Sequence, residues 1–178
     1  MSDAQRDLSQ RAPWLRAAVL GATDGLISLS CLMIGFGSAE LHVGLVIMVG
    51  LSGLVAGALS MAIGEYVSVS HQLEVERNGE NEANQLPSPI RASLASGIAF
   101  SFGAILPVLA GAFLRDKVVR FGVLVGVTCL ELLMFGWVSA VLGNASVRRS
   151  CLRLFIGGSL AMAISFGMSQ LVSSFLVV

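Results

Sequence analysis

Residues 44–69 read GLVIMVGLSGLVAGALSMAIGEYVSV, an apolar run in which Glu65 is the only charged side chain. A helix takes about 20 residues to cross the ~30 Å hydrocarbon core of a bilayer, so this run is long enough to span it. Backbone groups in lipid must be hydrogen-bonded within their own segment, and barrel strands are about half as long with alternating polarity. The run therefore predicts a transmembrane α-helix.

Four more runs of this kind flank it. Hydrophobic residues make up 55% of the 178 residues and charged residues only 12%, where soluble domains carry about 25%. We predict an all-α, integral multi-pass membrane protein with one transmembrane domain (residues 1–178), in the cell (inner) membrane of a prokaryote or an organelle membrane of a eukaryote. Zero net charge, without a basic patch interleaved with aromatics, argues against nucleic acid as a partner. The five predicted spans are residues 17–39, 44–69, 92–114, 118–142 and 154–177.

The distribution of Lys and Arg predicts the orientation, because cytoplasmic loops carry an excess of both. With the N-terminus in the cytoplasm and the C-terminus on the opposite side, eight basic residues fall inside and three outside. The inner residues are Arg6, Arg11, Arg16, Arg77, Arg91, Arg148, Arg149 and Arg153, and the outer ones are Arg115, Lys117 and Arg120. The predicted topology is therefore N-terminus in and C-terminus out.

The longest polar stretch, residues 71–88, predicts a short acidic cytoplasmic connection that carries four Glu against a single Arg77. It is either a solvated extension of the second helix followed by a loop, or a cation-collecting mouth.

Asp24, Glu65 and Glu131 each lie in the interior of an apolar run. A charge at the bilayer centre costs roughly 2.5–3.5 kcal/mol, so three unpaired carboxylates would cost about 7–10 kcal/mol. That rivals the whole stability of a typical domain, ~5–15 kcal/mol. We therefore expect these groups to be protonated, hydrated in a cavity or neutralised by a bound cation, and each state is useful to a transporter.

The first two spans carry the candidate site. Met61 and Glu65 are four residues apart and share a helical face, while Gly53, Gly57 and Ser60 belong to a small-residue stripe that lets another helix approach closely.

In the first span, Asp24, Ser28 and Cys31 form a polar or soft stripe at spacings of four and three. If this stripe faces the second span, the site combines carboxylates, a hydroxyl and soft sulfur, which suits Fe²⁺ or Mn²⁺ better than Mg²⁺ or Ca²⁺. With no His in any span, a conventional zinc site is not expected.

Each element also has a plainer interpretation. In that interpretation Met61 fills a gap in the core, the glycines serve only helix packing, and Cys31 is an inert buried thiol. Glu131 either lines the pathway or, as a protonated carboxyl, donates a hydrogen bond to a neighbouring helix. The candidate metal ligands are Asp24, Met61 and Glu65, and the possible pathway-lining residues are Ser28, Cys31, Gly53, Gly57, Ser60 and Glu131.

Three motifs carry a resemblance to a known family: DGLIS at residues 24–28, GLVAGALSMAIGEYVS at 53–68 and SFGAILP at 101–107, with Arg153 and the Gly157–Gly158 pair in the last span. Together they resemble the vacuolar iron transporter (VIT) family, nearest to its nodulin-like branch, over nearly the whole chain.

The resemblance implies a five-helix homodimer that moves Fe²⁺, and often Mn²⁺, out of the cytosol in exchange for protons. Asp24 and Met61 match the family's translocation residues, and Glu65 matches the Glu of its Gly-Glu-Tyr variant. The chain departs from the pattern at Gly53, where iron-transporting members commonly have Glu, and it is a short form without their Glu-rich cytoplasmic metal-binding domain.

We therefore predict a proton-coupled transporter of divalent transition-metal cations that uses no cofactor. We do not expect an enzyme, because H-E-x-x-H and G-x-S-x-G motifs and intramembrane His residues are absent from the sequence. The alternative is a non-transporting membrane scaffold or partner subunit whose buried carboxylates only mediate helix packing.

Overall fold

A computed structural model describes the chain over residues 3–38, 43–78, 88–114, 116–143 and 145–176. All regular structure in these residues is helical, and each helix holds a stretch long and apolar enough to cross a membrane. The prediction of an all-α, multi-pass membrane bundle is confirmed. The described helices are α1 (Asp3–Ser38), α2 (Val43–Asn78), α3 (Pro89–Phe113), α4 (Lys117–Leu142) and α5 (Val147–Leu176).

Three helices are longer than the apolar spans within them. α1 begins at Asp3 and α5 at Val147, both before the predicted spans, and α2 continues to Asn78. Apolar character marks only the part of a helix that crosses lipid, whereas helical hydrogen bonding continues into the polar interface. Residues 39, 177 and 79–87, which include two predicted span ends and most of the acidic connection, lie outside the described residues.

α1 is the central helix, in contact with all four others and most extensively with α3. Glycine makes this closeness possible: a Cβ at Gly21 would overlap the Ser96 carbonyl, one at Gly25 the Phe100 carbonyl, and one at Gly103 the Ala22 carbonyl. Small residues are the usual means of bringing two membrane helices into backbone contact. The α1–α3 contact therefore fixes the position of α1, and with it that of the half-buried Asp24, against α3.

On its other side, α1 is attached to α4 and α5 by hydroxyl groups. Thr128 Oγ1 and Ser30 Oγ share a hydrogen bond of 2.9 Å, and Ser165 Oγ and Ser169 Oγ donate to the carbonyls of Cys31 and Gly35 at 2.9 and 2.6 Å. Such bonds are worth about 0.6–2 kcal/mol each between membrane helices. They keep α5 beside the second half of α1.

α2 is among the most exposed helices of the bundle. Only 11% of its apolar window is buried, the same share as for α5, and its exposed large residues follow helical spacing along one face at Leu51, Val55, Leu59 and Ile63. This face is left to lipid or to another protein chain.

Candidate cation site

A cavity of about 180 Å³ lies between α1, α2 and α3. Most of its lining comes from residues that the sequence pattern singled out, and Asp24 and Ser28 of the α1 stripe face the small-residue stripe of α2. The lining residues are Asp24, Ser28, Leu29, Leu32, Gly53, Gly57, Ser60, Met61 and Phe100.

Asp24 is the charged group of the cavity wall. It is half-buried, and its Oδ1 accepts a hydrogen bond from Ser28 Oγ, one turn further along α1, at 2.8 Å. Among the described side chains no Lys or Arg forms an ion pair with it. The carboxylate is therefore oriented by its own helix and remains available to a cation.

The glycines of α2 create the space that the cavity occupies. A Cβ at Gly57 would overlap the ring of Phe100, and a Cβ at Gly53 would lie 2.9 Å from Leu32 Cδ2. The ring belongs to a buried cluster with Leu29 and cannot move freely. A larger side chain at Gly57 would have to displace the ring or close the cavity.

Met61 lies beside the same cluster and lines the cavity. Its thioether is a soft, weak ligand. The described part of the chain holds no group of three or more His, Cys, Asp or Glu that could bind a metal ion, so one protomer offers a sparse ligand set of carboxylate, hydroxyl and thioether.

Glu65 does not line this cavity. It lies one turn beyond Met61, is 8% exposed, and its Oε1 has no hydrogen-bond partner among the described residues. The structure therefore does not bring both carboxylates to the wall of this one cavity. Four residues rotate a side chain by about 40° and raise it by about 6 Å, which moves Glu65 out of the cavity.

Ser96 of α3 is the residue that the sequence reasoning missed. α2 and α3 pack together where Ser93 Oγ donates to the Ala62 carbonyl at 2.7 Å and a Cβ at Gly97 would lie 3.1 Å from the Ala58 carbonyl oxygen. Ser96 lies beside Gly97 on this stretch of α3. It is fully buried, and its Oγ, like Glu65 Oε1, has no hydrogen-bond partner in the part of the chain that the structure describes. No spacing in the sequence marks Ser96, because its burial depends on how the helices pack.

Cys31 and Glu131 lie away from the cavity. Cys31 packs against the buried cluster around Leu26 and Met33, on the part of α1 that bonds to α5. Glu131 of α4 is 4% exposed, and its Oε2 has no hydrogen-bond partner within the described ranges. The structure does not bring either residue together with Asp24.

A helical bundle long enough to cross a membrane, with an oriented carboxylate and a thioether around a glycine-walled cavity, defines a small polytopic membrane protein with a candidate cation site. Comparison with known proteins supplies the family. The sequence model of the VIT family matches residues 15–86 and 78–170, and the chain belongs to this family, as its motifs predicted.

Several relatives are similar over 80% or more of their length. The chain is 51% identical over 175 residues to vacuolar iron transporter homolog 4 of Arabidopsis thaliana, covering 94% of this chain and 88% of that protein. It is 47% identical over 173 residues to vacuolar iron transporter homolog 5 of Oryza sativa subsp. japonica, covering 93% and 83%. It is 43% identical over 183 residues to VIT-like transporter 1b of Glycine max, covering 94% and 80%.

Proposed function

We propose that the protein transports divalent transition-metal cations, Fe²⁺ or Mn²⁺ or both, out of the cytosol across an organelle membrane. The observation that carries the proposal is the cavity in which Asp24, Ser28 and Met61 meet against Gly53 and Gly57. The names of its relatives, vacuolar iron transporter homologs, agree with it. Transport leaves the ion chemically unchanged, so we expect neither a cofactor nor catalysis.

The ligand chemistry favours a borderline transition metal. Asp24 supplies hard carboxylate oxygen, Ser28 a neutral hydroxyl and Met61 a soft sulfur. Mg²⁺ and Ca²⁺ take only oxygen ligands, and binding them would leave the thioether unused. A sparse, weak ligand set also suits a transporter, because the ion must be released as well as bound.

Proton exchange follows from the membrane surroundings of Asp24 and Glu65. A carboxylate held in low dielectric is stabilised either by a proton or by a nearby cation. Arrival of a dication at Asp24 therefore favours release of a proton, and metal departure favours its return. We infer that Glu65, one turn further along α2 and with an Oε1 that has no partner among the described residues, is the next position on the path.

A homodimer would complete the site. The small residues Ser60 and Gly64 lie on the exposed part of α2, and a Cβ at Gly64 would meet no atom within 4 Å. Two copies that met along α2 would place two sets of Asp24, Met61 and Glu65 around one central path. This arrangement doubles the ligand set that a single protomer offers.

The test is reconstitution into liposomes that carry an internal pH reporter, with Fe²⁺ and Mn²⁺ supplied on the side that corresponds to the cytoplasmic end. We expect metal uptake with opposite proton movement for the native chain, and loss of both for Asp24→Asn and Glu65→Gln. Asp116→Asn is the matched control: Asp116 caps α4 by accepting from Val118 N and Val119 N, and Asn caps helices equally well.

The outcomes separate the alternatives. Equal metal uptake by the native chain and both site variants would remove the proposed site. Metal flux without proton movement would leave a facilitator in place of an exchanger. No flux from a folded native chain would favour the scaffold alternative.

A further inference from the structure

A second cavity, of about 540 Å³, shares no lining residue with the cation site. It lies between α1, α4 and α5, at the end of the bundle where α4 ends and α5 begins. Its walls come from the first half of the membrane part of α1, the last turns of α4 and the first turns of α5. Nothing in the proposed transport path uses it.

Two guanidinium groups dominate the charge of this cavity. Arg16 of α1 and Arg153 of α5 both line it, the hydroxyls of Ser139 and Ser150 stand beside them, and no acidic residue lines it. Within the part of the chain that the structure describes, neither arginine forms an ion pair. Such a cavity repels metal dications, and it attracts a group that carries negative charge and oxygen acceptors.

The rest of the wall is apolar and extends into the membrane. From Arg16 to Ile27, the lining of α1 also includes Val19 and Leu20, a run of roughly 16 Å along the helix axis. Gly157 of α5 contributes room, because a Cβ there would meet no atom within 4 Å. The cavity is therefore basic near the ends of the helices and apolar along the rest of its length.

The surface beside the cavity continues the same pattern. Arg148 and Arg149 line a shallow recess on the other side of the first turns of α5, together with Leu152 and Phe155. No residue of α1 lines this recess, so it provides basic charge without the apolar wall of the cavity. Polybasic segments at a membrane surface attract anionic lipid in general, so Arg148 and Arg149 serve as the charge control for Arg16 and Arg153.

We propose that the α1–α4–α5 cavity binds one anionic phospholipid, with its phosphate between Arg16 and Arg153 and an acyl chain along the apolar wall of α1. The lipid fills the gap between α1 and the α4–α5 pair, at the end opposite to the Ser165 and Ser169 hydrogen bonds that join α1 to α5.

The test is native mass spectrometry of the full chain, purified in mild detergent and mixed with dioleoyl phosphatidylglycerol or with zwitterionic dioleoyl phosphatidylcholine. We expect retained phosphatidylglycerol and about tenfold weaker retention of phosphatidylcholine. Arg16→Gln with Arg153→Gln lowers phosphatidylglycerol retention by roughly tenfold, whereas Arg148→Gln with Arg149→Gln, the same loss of charge, lowers it by less than about threefold.

A second pair of variants keeps both arginines. Gly157→Leu fills the cavity and is expected to lower retention of the lipid, whereas Gly167→Leu, on the same helix with equally open surroundings, leaves retention unchanged. These variants keep the proposal testable even if the double arginine variant does not fold.

Equal retention of the two lipids, or unchanged retention after both Gly157→Leu and the Arg16 and Arg153 changes, would overturn the proposal. Displacement of the lipid by millimolar inorganic phosphate would assign the site to a soluble anion and would overturn it as well. None of these readouts depends on metal transport.

Discussion

Ser28 Oγ donates a hydrogen bond of 2.8 Å to Asp24 Oδ1, across one turn of α1 and inside the wall of the cation cavity. The bond links the only described carboxylate of that wall to a neutral group on its own helix. It therefore orients Asp24 without neutralising the carboxylate. An oriented, unneutralised carboxylate can accept either a proton or a metal ion.

The first prediction concerns this bond. Ser28→Ala should raise the half-saturating concentration of Fe²⁺ or Mn²⁺ by about 3- to 10-fold, because a hydrogen bond to a charged group contributes about 1.5–3 kcal/mol and part of it is replaced by water. Liposome uptake measured over a range of metal concentrations checks the value. Ser101→Ala is the control, since Ser101 Oγ bonds only to the Gly97 carbonyl of its own helix. An unchanged half-saturating concentration in Ser28→Ala would show that the bond does not orient the site.

The second prediction concerns the glycine wall of the cavity. Gly57→Ala should destabilise the protein by about 1–3 kcal/mol and reduce metal uptake, because its Cβ would overlap the Phe100 ring. Thermal unfolding in detergent measures the first effect and liposome uptake the second. Adding Phe100→Leu should recover part of the stability. Gly126→Ala on α4 is the control and should change neither quantity, because a Cβ there would meet no atom within 4 Å. If Gly57→Ala also left stability and uptake unchanged, the contact between Gly57 and Phe100 would be contradicted.

The third prediction concerns the α1–α3 contact. Gly25→Ala should lower the free energy of unfolding by roughly 2–4 kcal/mol, which is more than Gly57→Ala does. The added Cβ would meet the Phe100 carbonyl, and backbone cannot rotate away as a side chain can. The yield of monodisperse protein and its thermal midpoint check this order. The opposite order would show that α1 and α3 are not in backbone contact.

The fourth prediction separates the buried acids. Glu131→Gln should keep at least half of the native metal uptake, because Glu131 lies away from the cation cavity, whereas Glu65→Gln should lose most of it. The measurement is metal uptake with the internal pH reporter for both variants at matched protein density. Loss of transport in Glu131→Gln with normal thermal stability would place Glu131 on the path and contradict this prediction.

The sequence predicted the membrane architecture well because lipid leaves few alternatives. A run as long and apolar as residues 44–69 has only one stable form in a bilayer. The meeting of Asp24 and Ser28 with Gly57 and Met61 was predicted conditionally, because spacing decides which residues share a helical face and not which faces meet. That second choice is made by packing.

Packing also explains what the sequence did not reveal. α1 takes the central position because Gly21 and Gly25 admit the backbone of α3, and no periodicity of α1 alone specifies its partner. Spacing along α1 put Cys31 with Asp24, yet Cys31 packs beside α5. Glu65 and Ser96 could be assigned to buried positions only once the packing of the helices was known.

The most direct test of the central claim is an anomalous difference map of crystals grown with Mn²⁺ and recorded near the manganese edge. The proposed site predicts a peak in the cavity between α1 and α2, within ~2.5 Å of an Asp24 carboxylate oxygen and on the side of Met61. A peak elsewhere in the bundle, with this cavity empty at saturating Mn²⁺, would contradict it.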